Sequence, residues 1–224
     1  MSYAFLILFF FILMYAYILY PTRLKKQASG KTLQFAAYSI QDNLPAVNIV
    51  IPVCNEEKVI EAKLNSILQS DYPNDKIQIF LGLDNCTDST KSIIESKFST
   101  DNIKVIEFTE RQGKPNVLNQ IIEKQISNDD SILILTDANV IFTKTTIFEL
   151  IKYFKDEQIG LVDSTIKAQV STNKNEMDYW DYETDIKQHE SLVYGIIPGP
   201  SGACYAIRRN LYSTVPANFL VDDF

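Results

Sequence analysis

Asn48-Ile49-Val50-Ile51-Pro52-Val53 runs straight into Cys54-Asn55-Glu56-Glu57. A short apolar run thus stops at a polar, acidic cluster. Two later stretches repeat the pattern. Ile77-Gln78-Ile79-Phe80-Leu81-Gly82-Leu83 precedes Asp84-Asn85-Cys86-Thr87-Asp88, and Ser131-Ile132-Leu133-Ile134-Leu135-Thr136 precedes Asp137-Ala138-Asn139. Apolar runs of this length, bounded by turn formers, read as buried parallel strands. In open α/β sheets ligands bind beyond the carboxyl ends of the strands. Carboxylates and amides gathered there suit a metal ion and a ligand rich in hydroxyls and phosphates.

Helical spacing fills the gaps between the runs. Ile60, Leu64, Ile67 and Leu68 share one helix face, as do Ile93, Ile94 and Phe98. Residues 116–126 carry Val117, Leu118, Ile121 and Ile122; residues 145–154 carry Ile147, Leu150, Ile151 and Phe154. Short strands are expected at 103–108 and 159–162. This alternation predicts an α/β fold with a mostly parallel central sheet and helices on both faces. Residues 173–194 interleave aromatics such as Tyr179, Trp180 and Tyr182 with carboxylates. They read as a helix against the sheet edge or the membrane surface, as a carbohydrate contact, or as an amphipathic helix with a solvated acidic face.

Residues 1–20 carry no charged side chain and are dominated by Phe, Leu, Ile and Tyr. As a helix they span roughly 30 Å, the thickness of a bilayer core. Pro21 is expected to end this transmembrane helix. Arg23, Lys25, Lys26 and Lys31 follow, which places the rest of the chain in the cytoplasm. A cleaved signal peptide would want positive charge before the apolar run and a small-residue cleavage site after it, and neither is present. Residues 21–46 read as a juxtamembrane linker, and residues 47–224 as one catalytic domain of roughly 180 residues, enough for a full core.

The net charge of −7 over 224 residues argues against nucleic-acid binding, which needs a basic face. The three cysteines, Cys54, Cys86 and Cys204, form no CxxC pair, so neither a zinc site nor a disulfide framework is indicated. The lone His189 cannot build a His-rich metal site.

The motifs fall in one recognisable order. Ile51-Pro52-Val53-Cys54-Asn55-Glu56-Glu57 comes first, then Asp84-Asn85-Cys86-Thr87-Asp88, Gly113-Lys114, Thr136-Asp137-Ala138-Asn139, Gly199-Pro200-Ser201-Gly202-Ala203 with Arg208-Arg209, and Asp222-Asp223-Phe224. In order and spacing they resemble glycosyltransferase family 2, in its membrane-anchored, cellulose- and hyaluronan-synthase-like branch. The resemblance implies a GT-A-like fold and inverting transfer from a nucleotide-diphosphate sugar, a UDP-sugar by preference, to a saccharide or lipid-linked acceptor. The setting it implies is cell-envelope or extracellular polysaccharide synthesis.

The same resemblance assigns roles. Pro52, Asn55, Glu56, Asp84, Lys114 and Asp137 correspond to donor-binding positions, Glu56 and Asp84 to those that hydrogen-bond base and ribose. Asp137 and Asn139 correspond to the ligands of a divalent metal, Mg or Mn. Gly202 and Asp222 lie on the acceptor side, and Asp223 corresponds to the catalytic base. Three departures stand out. Asn139 replaces the second acid of Asp-x-Asp, Cys54 stands where an aromatic or His is usual, and Asp222 stands where Glu is usual. The chain also lacks the Gln-x-x-Arg-Trp segment of processive synthases, so it is expected to be a truncated piece, with an inactive membrane-tethered nucleotide-binding scaffold as the alternative. A nucleotidyltransferase would want a Gly-rich, Arg-bearing loop after the first strand, and residues 52–57 offer none.

Overall fold

The structure, a computed structural model, describes residues 2–127, 129–167, 174–200 and 202–216, with 174–180 as backbone only. Two compact units emerge: residues 35–166 with the chain from 200 onward, and residues up to 34 with 167–199.

The larger unit holds a six-stranded sheet in the order β3-β2-β1-β4-β6-β5. Its strands are β1 (Val47–Val53), β2 (Ile77–Asp84), β3 (Ile103–Phe108), β4 (Ile132–Thr136), β5 (Leu161–Asp163) and β6 (Cys204–Arg208). β1 pairs in parallel with both β2 and β4, and β2 with β3. β6 runs antiparallel to β4 and β5. The sheet is mostly parallel, as the alternation of elements predicts, but β6 is a strand to which the sequence reading assigns no element. It is short, and its partners lie far away in the chain.

Four helices cover the sheet: α3 (Ile60–Leu68), α4 (Thr90–Lys97), α5 (Lys114–Gln125) and α6 (Thr146–Ile151). Strand residues alternate between the two faces. Ile49 and Ile51 of β1, with Ile79, Leu81 and Ile134, pack in one layer with Ile60, Leu64 and Ile67 of α3, Ile94 of α4 and Ile147 of α6. Val50, Phe80, Leu133 and Leu135 pack in the other with Val117, Leu118, Ile121 and Ile122 of α5. Burial on both faces explains why the central strands read as unbroken apolar runs.

The chain proceeds from β1 outward to β2 and β3, then returns through α5 to β4 on the opposite side of β1. The order reverses between β1 and β4, the crevice where ligands of open α/β sheets bind.

The smaller unit contains α1 (Ser2–Met14), a π-helical turn at Tyr15–Leu19, α2 (Tyr20–Ala28) and α7 (Lys174–Tyr194). Pro21 does not end the helix. It sits in the first turn of α2, where its missing N–H costs least, and the preceding π turn alters the hydrogen-bond ladder that its ring would break. Residues 21–28, expected as linker, are therefore helical. Tyr3–Ala28 is long and apolar enough to cross a membrane. Within this unit the Tyr20 hydroxyl donates to Glu190 Oε1 (2.5 Å) and the Tyr182 hydroxyl to the Tyr17 carbonyl (3.3 Å).

Candidate active site at the carboxyl ends of the strands

β1 and β2 are each followed within two residues by an asparagine in the left-handed region, Asn55 at φ 57° and Asn85 at φ 52°. Asparagine tolerates this conformation better than most residues. At Asn55 the turn also aims the side chain at the neighbouring loop. Asn55 Oδ1 accepts from the Thr87 amide (2.8 Å) and the Asp88 amide (3.4 Å), and its Nδ2 donates to Thr87 Oγ1 (3.3 Å). The Glu56 amide donates to Thr90 Oγ1 (2.8 Å), the Glu57 amide to Asp88 Oδ2 (3.1 Å), and the Ser89 amide to Glu57 Oε2 (3.0 Å). The two loops are bolted together before any ligand arrives. Asn55, expected among the donor-binding residues, spends its amide on this joint.

Pro52 lies inside β1 opposite Gly82 of β2. The ladder to β4 stops at Val50, so beyond that point β1 has no strand partner on the β4 side. The half-buried Glu56 carboxyl is pushed above the usual carboxylate range, first by desolvation and then by the charges of Asp137 and Asp88. That coupling joins the β1 loop to the β4 loop electrostatically.

Asp84 is buried, and both of its oxygens accept backbone amides: Gln112 N–H to Oδ1 (2.6 Å) and Gly113 N–H to Oδ2 (3.0 Å). The Arg111 Nε stands 3.8 Å from Oδ2, and Arg111 also donates to Cys54 Sγ (3.0 Å). Gly113, at φ 81°, makes the turn that starts α5. The first residue of that helix is Lys114. Its Nζ lies 2.7 Å from Asp137 Oδ1 and donates to the Gly202 carbonyl (3.1 Å). The Asp137 amide donates in turn to the Ala203 carbonyl (3.0 Å). One linked chain thus runs from Asp84 through Gly113-Lys114 to Asp137 and the Gly202-Ala203 segment. Asn139 is exposed in the turn beyond Asp137. Asp222, Asp223 and Ser201 lie outside the described residues.

Among the described residues no group of three or more His, Cys, Asp and Glu side chains is placed to hold a metal ion. Asp137 with the Asn139 amide offers one charged and one neutral oxygen ligand. That set fits Mg²⁺ or Mn²⁺ of the kind bound by one or two carboxylates and completed by substrate phosphates. The Lys114 ammonium already pairs with Asp137, so the carboxylate is placed to meet positive charge.

A family model described as glycosyl transferase family 2 matches residues 48–215. The chain belongs to glycosyl transferase family 2.

Relatives of this family 2 chain include a beta-monoglucosyldiacylglycerol synthase of Nostoc sp., 29% identical over 126 residues (55% of this chain, 26% of the relative). A poly-beta-1,6-N-acetyl-D-glucosamine synthase of Staphylococcus epidermidis is 26% identical over 186 residues (79% and 43%). Among solved structures, the mannosyltransferase PcManGT of Pyrobaculum calidifontis, in complex with GDP-Man and Mn²⁺, aligns with a TM-score of 0.76 at 25% identity. That alignment covers 93% of this chain and 58% of PcManGT. The chain therefore spans less than half of these two curated relatives and little over half of that structure. The architecture is GT-A-like.

Of the expected site residues, the family 2 fold brings Glu56, Asp84, Lys114, Asp137 and Gly202 to one sheet edge. Sequence reading missed Lys63. This lysine of α3 is fully buried, its Nζ donating to Thr136 Oγ1 (3.0 Å) and to the Val140 carbonyl (2.5 Å). It also sits 3.7 Å from the Phe142 ring centroid. A signal was available: position 63 is three residues after Ile60 and four before Ile67, on the apolar stripe of the helix.

Proposed function

We propose that this chain is the donor-binding part of a membrane-anchored, inverting glycosyltransferase. It moves a sugar from a nucleoside-diphosphate donor, a UDP-sugar by preference, to a saccharide or lipid-linked acceptor in envelope polysaccharide or glycolipid synthesis. The observation that carries this reading is the Lys114–Asp137 ion pair of 2.7 Å at the crevice between β1 and β4. It sets a cation and a metal-binding acid side by side where a diphosphate would lie. The GDP-Man and Mn²⁺ held by PcManGT support the class of ligand.

In this reading Glu56 and Asp84 accept hydrogen bonds from the nucleoside, while Asp84 also fixes the turn that presents Lys114. Asp137 and Asn139 hold a divalent cation, Mg or Mn. When bound, that ion offsets the charge that builds on the departing nucleoside diphosphate. Lys114 adds its own positive charge there. Asp223 accepts the proton of the acceptor hydroxyl as it attacks the anomeric carbon. A single displacement of this kind inverts the anomeric centre and needs no covalent enzyme intermediate. Tyr3–Ala28 anchors the chain, and the basic residues after Tyr20 put the catalytic unit on the cytoplasmic side.

The test is donor turnover by the full-length protein with UDP- and GDP-sugars and Mn²⁺. Asp223→Asn is expected to abolish turnover while leaving nucleotide binding intact. Retained turnover would remove Asp223 as the base. Because Asn139 leaves one acid in the metal motif, a scaffold that binds nucleotide without chemistry is the second reading. Tight UDP binding by the wild-type protein without turnover would favour it.

A further inference from the structure

Among the described residues, Lys63 is the largest charged side chain buried in the core of the catalytic unit, and no step proposed above uses it. Its amine bonds the Thr136 hydroxyl, one residue before Asp137, and the Val140 carbonyl, one residue after Asn139. The Asp137-Ala138-Asn139 turn is therefore tied at both ends to a single nitrogen. The stem of Lys63 rises from the rigid middle of α3, and Phe142 covers the amine. Burying a lysine amine costs free energy that apolar packing alone does not return. A methionine would fill the same space on this helix face without that cost. What the amine adds is two directed hydrogen bonds, and both fall on the metal-motif turn.

We propose that Lys63 is a positioning residue for the metal-binding turn: it ties the Thr136 side chain before Asp137 to the Val140 carbonyl after Asn139, so that the oxygens of Asp137 and Asn139 converge on one cation. The proposal rests on the metal role assigned to those two residues above. The device matters more here than where two acids share the load, because a single charged ligand must be correctly aimed. Thr136 is braced further, its hydroxyl reaching the Ala203 carbonyl (3.2 Å), so the turn and the segment after Gly202 are set by one network. The clamp does not require a charge, since a neutral amine still offers two N–H donors for two acceptors.

The experiment is an Mn²⁺ titration of the full chain in detergent with UDP present, reading free Mn²⁺ by electron paramagnetic resonance. No turnover is needed. Loss of the groups that orient metal ligands typically weakens metal binding by about 10–100-fold. Lys63→Met, equal in length and apolar, is expected to raise the Mn²⁺ dissociation constant by about tenfold or more. Lys63→Gln, whose amide is one atom short of bridging both acceptors, is expected to fall between the wild type and Lys63→Met. A folded Lys63→Met with wild-type Mn²⁺ affinity overturns the proposal. If Lys63→Met fails to fold, wild-type affinity in Lys63→Gln overturns it instead. Absence of Mn²⁺ binding by the wild-type chain would overturn the metal assignment itself, and is told apart because it appears before any substitution.

Discussion

Lys63 and Asp84 show how single side chains set this site. Each is buried, and each spends its polar atoms on a loop beside another expected site residue: Asp84 accepts from the amides of residues 112–113, and Lys63 donates to the Thr136 hydroxyl and the Val140 carbonyl on either side of the Asp137–Asn139 turn. Burial lowers the pKa of Lys63 to about 7, with Cys204 and Asp137 partly opposing the shift. The unfolded chain keeps that lysine protonated to about pH 10.4. Above pH 7 the unfolded state therefore holds a proton that the folded state has released, and stability rises with pH. Between pH 7 and 8 the gain is about 1 kcal/mol. Urea midpoints across that interval are expected to climb in the wild type and to stay flat, for this contribution, in Lys63→Met. A parallel climb in both would assign the titration elsewhere. The interval stops short of the Cys204 thiol, whose pKa burial raises.

At the scale of elements, α5 does two jobs. Its apolar face seals one side of the sheet, and its first residue, Lys114, faces Asp137. The helix can approach β2 this closely because Gly82 has no side chain. A Cβ there would collide with Val117 Cγ1 and come within 2.8 Å of Ile121 Cδ1. Gly82→Ala is therefore expected to cost about 1–3 kcal/mol in urea denaturation and to weaken nucleotide binding by displacing the start of α5. Unchanged stability would mean that the helix shifts freely on the sheet. β1, β2 and β4 were legible because each is apolar on both faces and stops at turn-forming acids. β6 was not, because its five residues, which follow a glycine-bearing loop and end on Arg208, carry no periodicity of their own. Its place in the sheet comes from pairing with β4 and β5, distant in the chain.

On the scale of the whole molecule, the Tyr3–Ala28 helix exposes nearly all of its large apolar side chains, among them Phe5, Phe9, Phe10 and Phe11. Surface of that extent and composition matches lipid better than water. The full chain is expected in the membrane fraction, resistant to alkaline carbonate and released by detergent. A variant lacking residues 2–20 is expected in the soluble fraction, and its persistence in the pellet would place the anchor elsewhere.

Read alone, the residues determined the α/β class, the main strands and helices, the apolar N-terminal helix and the set of acids at the strand ends. All of these are written in local periodicity and in the residue types where it breaks. Only the tertiary structure decided which polar groups tie the strand-end loops to one another. It gave Asn55 to the joint with Thr87 and Asp88, the two oxygens of Asp84 to the turn before Lys114, and a buried lysine of α3 to both ends of the Asp137–Asn139 turn. A hydrogen bond between residues tens of positions apart depends on how the chain packs, and no local pattern encodes it.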